Sequence, residues 1–219
     1  MYNAHRHIAK GTYDELAMDF VADAQNTAGL SLTVPSNVNA GDLAIAYSST
    51  ATGPSPTVYS GFTQIASLNS TFEDMFQYKI MTDADLGATF TRTNDSYDVA
   101  MMIFYRAVKG SFTSVTVSDI NNAGQTSGIP ADQTVDVGYP SVVVFVSGCY
   151  GSSYSNDGDI LSGNTPLSSY GNIRAIGENG NQIRMYHFEN NTIARPYTIS
   201  INGDFGNYNR LMSCGFTFT

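Results

Sequence analysis

The stretch Val34-Pro35-Ser36-Asn37-Val38-Asn39-Ala40-Gly41-Asp42-Leu43-Ala44-Ile45-Ala46-Tyr47 decides the fold class. Pro35 cannot donate to a strand ladder, so it closes the apolar alternation of Leu30, Leu32 and Val34. Gly41-Asp42 supplies turn chemistry directly before the next run. In that run Leu43, Ile45 and Tyr47 point one way, while the small residues Ala44, Ala46 and Ser48 point the other and leave room for a close neighbour. The stretch reads as strand, corner, core strand, and as a fold marker without chemistry of its own.

The same grammar extends in both directions. Residues 1–12 lack strand alternation and carry His5, Arg6, His7 and Lys10, so they read as an N-terminal arm ahead of a domain spanning 13–219. Leu16, Met18, Phe20 and Ala22 alternate with Ala17, Asp19, Val21 and Asp23, which predicts a half-buried first strand, and Gln25-Asn26-Thr27-Ala28-Gly29 then turns the chain. Thr52 to Pro56 is a loop by its prolines and glycine. Strands are expected over Phe62–Leu68 and Phe72–Ile80, with Gln77 and Lys79 on the polar face of the second. Thr82 to Gly87 has the N-cap and closing glycine of a short helical turn, and Ala88–Thr93 resumes the alternation around Phe90.

Val99–Val108 and Ser141–Ser147 are apolar on both faces and rich in β-branched and aromatic residues, so they read as strands buried between layers. Val115 with Val117 and Val135 with Val137 predict short strands around an aperiodic loop, Ile120–Gln133. Cys149–Asn172 is rich in Gly, Ser, Asn and Tyr. It is long for a structureless loop, so it is either a functional loop or hides a short strand. Ile183–Glu189, Tyr197–Ile201 and Leu211–Phe218 complete the set. Roughly a dozen strands without an amphipathic helix predict an all-β fold, a two-sheet antiparallel β-sandwich of the jelly-roll kind.

Composition narrows the function classes. The 219 residues carry 19 Asp and Glu against 10 Lys and Arg, a formal net charge of -9, which disfavours nucleic acid as a partner. The most hydrophobic run, Val142–Val146, is too short to span a bilayer, so no membrane partner is expected, and Met1–Leu16 has no apolar core of signal-peptide length. Cys149 and Cys214 sit in or beside apolar runs and read as buried free thiols. A polar, weakly charged surface without an export signal or disulfide framework fits assembly in a reducing cytoplasm and later release by lysis, as for virion components, and fits export by a non-Sec route equally well.

The order of motifs resembles a family of phage virion proteins. The resemblance rests on Val34-Pro35 followed by Gly41-Asp42-Leu43 and Ile45-Ala46, Gly61-Phe62-Thr63-Gln64-Ile65, Tyr78-Lys79 ahead of Asp85, Ala100–Val108 with Tyr105-Arg106, and a last strand ending at Phe218. Phe62 stands where Trp is frequent in that family, and Ala107 where Gly is frequent. The resemblance implies a concanavalin-like or jelly-roll sandwich exposed on a capsid or tail, made in the host cytoplasm. Its implied partners are a major capsid or tail protein and further copies of itself, as a trimer.

The chemistry searched for is sparse. Neither Gly-x-Ser-x-Gly nor a Cys with an activating His is present. His187 shares a strand face with Glu189, which could orient an imidazole, but it reads as a solvated or core-edge histidine and not a catalytic one. Glu73, Asp74, Glu178 and Glu189 are the carboxylates from which a glycoside-hydrolysing pair would be drawn. His5-x-His7 supplies two ligands where a zinc site wants four. Asn156–Asp159 and Glu178–Asn181 have glycine-turn chemistry without full calcium-loop spacing. The expectation is therefore a non-enzymatic protein with no cofactor and no metal. Its candidate surface-contact residues are Tyr150, Tyr154, Tyr170 and Tyr208, and its anchoring arm carries His5, Arg6, His7 and Lys10. Tyrosines of that kind suit a surface glycan or a protein partner, which keeps a carbohydrate-binding module and a polysaccharide-degrading hydrolase as rival readings.

Overall fold

A computed structural model describes residues 18–27, 29–50, 57–69, 72–92, 98–108, 112, 114–126, 131–137, 141–150, 158–162, 165–166, 171–176, 181–190, 195–201 and 207–218. The first half of the chain forms β1 (Met18–Asn26), β2 (Leu32–Thr33), β3 (Leu43–Thr50), β4 (Thr63–Asn69), β5 (Glu73–Ile80), β6 (Thr89–Phe90) and β7 (Val99–Ala107). The second half forms β8 (Val115–Thr126), β9 (Gln133–Val137), β10 (Ser141–Tyr150), β11 (Gly158–Ser162), β12 (Thr165–Pro166), β13 (Gly171–Ile176), β14 (Asn181–Asn190), β15 (Arg195–Ile201) and β16 (Asn207–Phe218). One 3-10 turn, Asp83–Asp85, interrupts the strands where the capping pattern places it.

Every strand pair is antiparallel. Sheet I has the order β1-β7-β3-β5-β4 and sheet II the order β13-β14-β10-β16-β8. A third sheet, β12-β11-β15-β9, and a ribbon, β2-β6, complete the set. The strands of sheet I thus come from the first half of the chain and those of sheet II from the second.

Sheets I and II face one another across the main core. Sheet I contributes Leu43, Ile45 and Tyr47 from β3, Phe76 from β5, and Val99, Met101, Ile103 and Tyr105 from β7. Sheet II answers with Val142, Val144 and Val146, Ile183 and Met185, and Met212, Cys214 and Phe216. The two-residue period puts alternate positions on this face, and burial of such side chains contributes about 1.5–3 kcal/mol each before entropy is counted.

The outer face of sheet I is covered as well. Ala44, Ala46, Ala100, Met102 and Phe104 pack under Leu30, Leu32, Val34, Val38, Tyr59, Phe62 and Phe90. The small residues of β3 therefore do admit a close neighbour, the β2-β6 ribbon with its loops. On the outer face of sheet II, Val143, Phe145, Tyr186 and Leu211 are buried, and the third sheet supplies the buried Val135, Tyr197 and Ile199. Gln133 on β9 donates to the Leu211 carbonyl at 2.8 Å, and Asn121 on β8 to the Thr134 carbonyl at 2.8 Å, which join the third sheet to the second.

The opening stretch makes the corner its sequence announces. Gly41 adopts φ 91°, a conformation side chains disfavour, and its N–H donates to the Met81 carbonyl at 2.8 Å. The Asp42 carbonyl accepts from Met81 N–H at 2.8 Å, after which β3 enters the centre of sheet I.

Three expectations need correction. Ile120–Gln133 is not simply a loop, because β8 runs to Thr126; its register against β16 shifts twice, and bulges at a sheet edge erase the alternation that betrays a strand. Of the two readings left open for Cys149–Asn172, the hidden short strand holds, since the segment contains β11 and β12. Gln25 and Asn26, expected in a turn, extend β1. Gln77, expected on a solvent face, is fully buried and accepts from the Tyr59 N–H at 2.8 Å, because that face is covered. Cys214 is a buried free thiol, and burial pushes its pKa well up.

Candidate functional site: a groove along the first strand

Three buried polar clusters tie the layers together. At one end of the main core Arg210 on β16, opposite Gly148 on β10, meets the Asp74 carboxylate of β5 at 3.0 Å, with both side chains wholly buried. Arg210 also donates to Ser49 at 3.2 Å and lies over the Phe72 ring at 4.4 Å. Burial pushes the Asp74 carboxyl up, against the opposing pull of Arg210 and the Ser49 and Tyr47 hydroxyls. On the outer face of sheet I, Arg92 hydrogen-bonds Ser48 and stands over Tyr59 at 5.5 Å, and burial lowers its pKa.

The third cluster lies where β1 of sheet I meets β14 of sheet II. The Tyr105 hydroxyl hydrogen-bonds Nδ1 of His187, and the His187 ring is nearly sealed from solvent. Desolvation lowers the His187 pKa to about 4, so the imidazole is neutral at pH 7. Phe20 stacks on it with a centroid separation of 4.9 Å and meets the Tyr105 ring edge-on at 5.9 Å. Glu189 accepts from the Phe20 N–H at 3.1 Å. The core-edge reading of His187 therefore fits its place, with Tyr105 as its hydrogen-bond partner.

Phe20 also opens onto a groove of about 360 Å³ lined by Asp19, Phe20, Val21, Asn37, Arg106, Ala107 and Val108. The register of β1 against β7 shifts beside it, between Phe20 and Ala22. The extra residue, Val21, turns its carbonyl to the Asn37 amide, which donates at 3.0 Å. Phe20 keeps its pairing with Tyr105, but β1 is the rim of sheet I, so the ring remains 41% exposed. Val108 is 39% exposed across the groove. Arg106 donates to both Asp42 oxygens, at 2.8 and 2.7 Å, and to the Asn37 carbonyl at 2.8 Å; the Asp42 bonds raise its pKa. Asp42, 2% exposed, also accepts from the Asn39 N–H at 2.8 Å, so the corner stretch does supply a charge, spent on holding Arg106.

The sequence-derived candidates are distributed differently. Tyr150 ends β10 and is paired with Asn207, one residue before Tyr208 on β16, so these two lie on adjacent strands at one end of sheet II. Tyr154, Tyr170 and the arm residues His5, Arg6, His7 and Lys10 lie outside the described residues, as do Asn156, Asp157 and Glu178. Of the carboxylates weighed for hydrolysis, Asp74 is engaged by Arg210 and Glu189 by the Phe20 backbone. Among the described residues, no group of three or more His, Cys, Asp or Glu side chains converges to hold a metal.

Sequence reasoning missed the groove. Its one legible signal is Arg106, a lone cation closing a run that is apolar on both faces, since such a charge demands a partner. The register shift after Phe20 leaves no mark in the alternation, and the ring is open only because β1 is the rim of sheet I. No family model matches this chain, and neither a curated protein nor a solved structure matches it.

Proposed function

We propose that the chain is a non-enzymatic structural protein of a bacteriophage virion, a capsid-decoration or tail-associated module exposed on the particle. One observation carries the reading. Two motifs behind the resemblance join in a bonded tie, Asp42 of Gly-Asp-Leu with Arg106 of Tyr-Arg, and a third is closed within itself by Lys79 and Asp85 at 2.7 Å. Lys79 also lies over Phe62 of the Gly-Phe-Thr motif at 6.0 Å. Residues that are scattered in sequence yet bonded in space specify one structural unit, which supports reading their order as more than chance.

The jelly-roll assignment belongs to this proposal and rests on the resemblance. In this reading the protein works by burying surface against a major capsid or tail protein and against its own copies, as a trimer, with the arm as anchor. It is made in the host cytoplasm and resides in the virion. Deleting residues 1–12 tests the reading: the truncated protein folds but no longer joins the particle. Normal incorporation of the truncated protein refutes the anchoring role.

A further inference from the structure

The last strand of a sheet has backbone N–H and C=O groups left over from its ladder, and another chain can pair with them. Sheet I ends at β1 and at β4. β4 lies beside β8, the last strand of sheet II, so that side of the sandwich closes on itself. On the opposite side β1 has a ladder partner, β7, on one flank only.

Side chains from elsewhere in the fold occupy backbone groups of that rim. The Phe20 N–H donates to Oε1 of Glu189 at 3.1 Å. Glu189 stands opposite Val142, on the face of sheet II that turns to the main core, two residues beyond His187. The stacking of Phe20 on His187 brings the rim within reach of this carboxylate. Next to it the Val21 carbonyl accepts from the Asn37 amide at 3.0 Å, at the point where the register against β7 shifts. A register shift bends the row of backbone groups away from the straight line a new ladder needs. The carboxylate is a stronger acceptor than the carbonyl of an incoming strand, and that carbonyl would have to expel it from its donor.

We propose that Glu189 guards the edge of sheet I: its carboxylate, reaching across from sheet II, holds the Phe20 N–H and keeps a strand of a second copy of this chain from adding to β1. A second copy is the partner to be excluded, because every copy presents the same rim and edge-to-edge pairing requires nothing else. Contacts between copies then use surfaces other than β1. Attachment to a particle through the arm and guarding of the rim are separate properties, so the failure of one reading leaves the other standing.

Sedimentation velocity of the full chain over a concentration series at pH 7, combined with amide hydrogen exchange, tests the guard. Glu189→Ala removes the acceptor, Glu189→Asp keeps the charge but withdraws it by one methylene, and Glu189→Gln keeps an oxygen within reach of the Phe20 N–H. The Ala and Asp variants are expected to self-associate about tenfold more tightly than wild type, with new amide protection confined to residues 18–26, while the Gln variant behaves as wild type. Below the concentration of association, the Phe20 amide of the Ala variant exchanges about tenfold faster, and protection across β3 and β10 is unchanged, which separates an opened rim from a loosened fold. The Asp variant carries the test alone where the Ala variant does not fold. The proposal is overturned if these variants associate no more than wild type, if their new protection falls outside β1, or if the Gln variant associates as they do.

Discussion

Replacing Gly148 by Ala adds one methyl group, and the structure assigns that methyl a large cost. A Cβ on Gly148 would lie 2.5 Å from Nη2, 2.8 Å from Nε and 3.0 Å from Cζ of Arg210, all inside contact distance. In an open strand, Gly→Ala would stabilise by roughly 0.5–1 kcal/mol. Here the guanidinium has to move, and it is confined by Phe72 at 4.4 Å and by Asp74 at 3.0 Å, with no exposed surface. Overpacking costs about 1–3 kcal/mol and full loss of a buried ion-pair partner about 3–5 kcal/mol. A partial displacement lies between them, so the net expectation is a loss of about 3 kcal/mol, or about 10 °C in melting temperature. Urea unfolding at pH 7 measures it, and a double-mutant cycle assigns it. In the Arg210→Met background the same Gly148→Ala change should cost under ~1 kcal/mol, because the flexible thioether yields where the clamped guanidinium does not. A Gly148→Ala protein as stable as wild type, or an equal loss in both backgrounds, refutes the close-approach argument.

Two further perturbations follow from the same kind of geometry. The folded pKa of His187 is about 4, below its unfolded value of 6.5, so the fold binds fewer protons between these pH values. Its contribution is complete above about pH 6.5 and is lost as pH falls toward 4, by about 3 kcal/mol. Urea midpoints between pH 7 and 5 should fall less steeply for His187→Phe than for wild type, and parallel slopes would sink the assignment. Asp85 accepts from the Thr82 N–H at 2.8 Å, the Thr82 hydroxyl at 2.7 Å and Lys79 at 2.7 Å, so Asp85→Ala should cost about 1–2 kcal/mol by thermal denaturation. An unchanged midpoint would show that this turn is held by its backbone alone.

How far the sequence could be read follows from where side chains meet water. β3, β7 and β10 were legible because their central residues are buried on both faces and mostly apolar. The corner at Gly41 and the turn at Asp83 were legible because a positive φ and a capping carboxylate each demand a residue type. Edge elements were legible only in part: the first strand and Phe62–Leu68 could be read, but the full extent of β8 and β1 and the presence of β11 could not. β8 and β1 carry bulges that break the two-residue period, and β11 pairs through a short Gly-Asp-Ile-Leu-Ser segment whose ends read as turn. The groove was hidden for the same reason: Phe20 looks like a core residue by alternation, and only the position of β1 at the rim leaves its ring open. The Asp42–Arg106 and Arg210–Asp74 pairs join residues 64 and 136 positions apart, and no local pattern announces such pairings.

The allocation of one half of the chain to each main sheet governs how the protein is born. During synthesis every strand of sheet I leaves the ribosome before any strand of sheet II, so its hydrogen-bond ladder can close while Leu43, Ile45, Tyr47, Met101 and Ile103 have no facing layer. The nascent chain must carry that bare apolar face until β10, β14 and β16 arrive, and the carboxylate of Asp74 must wait for Arg210 near the end of the sequence. Translation speed across the second half therefore sets how long the half-built sandwich stays adhesive.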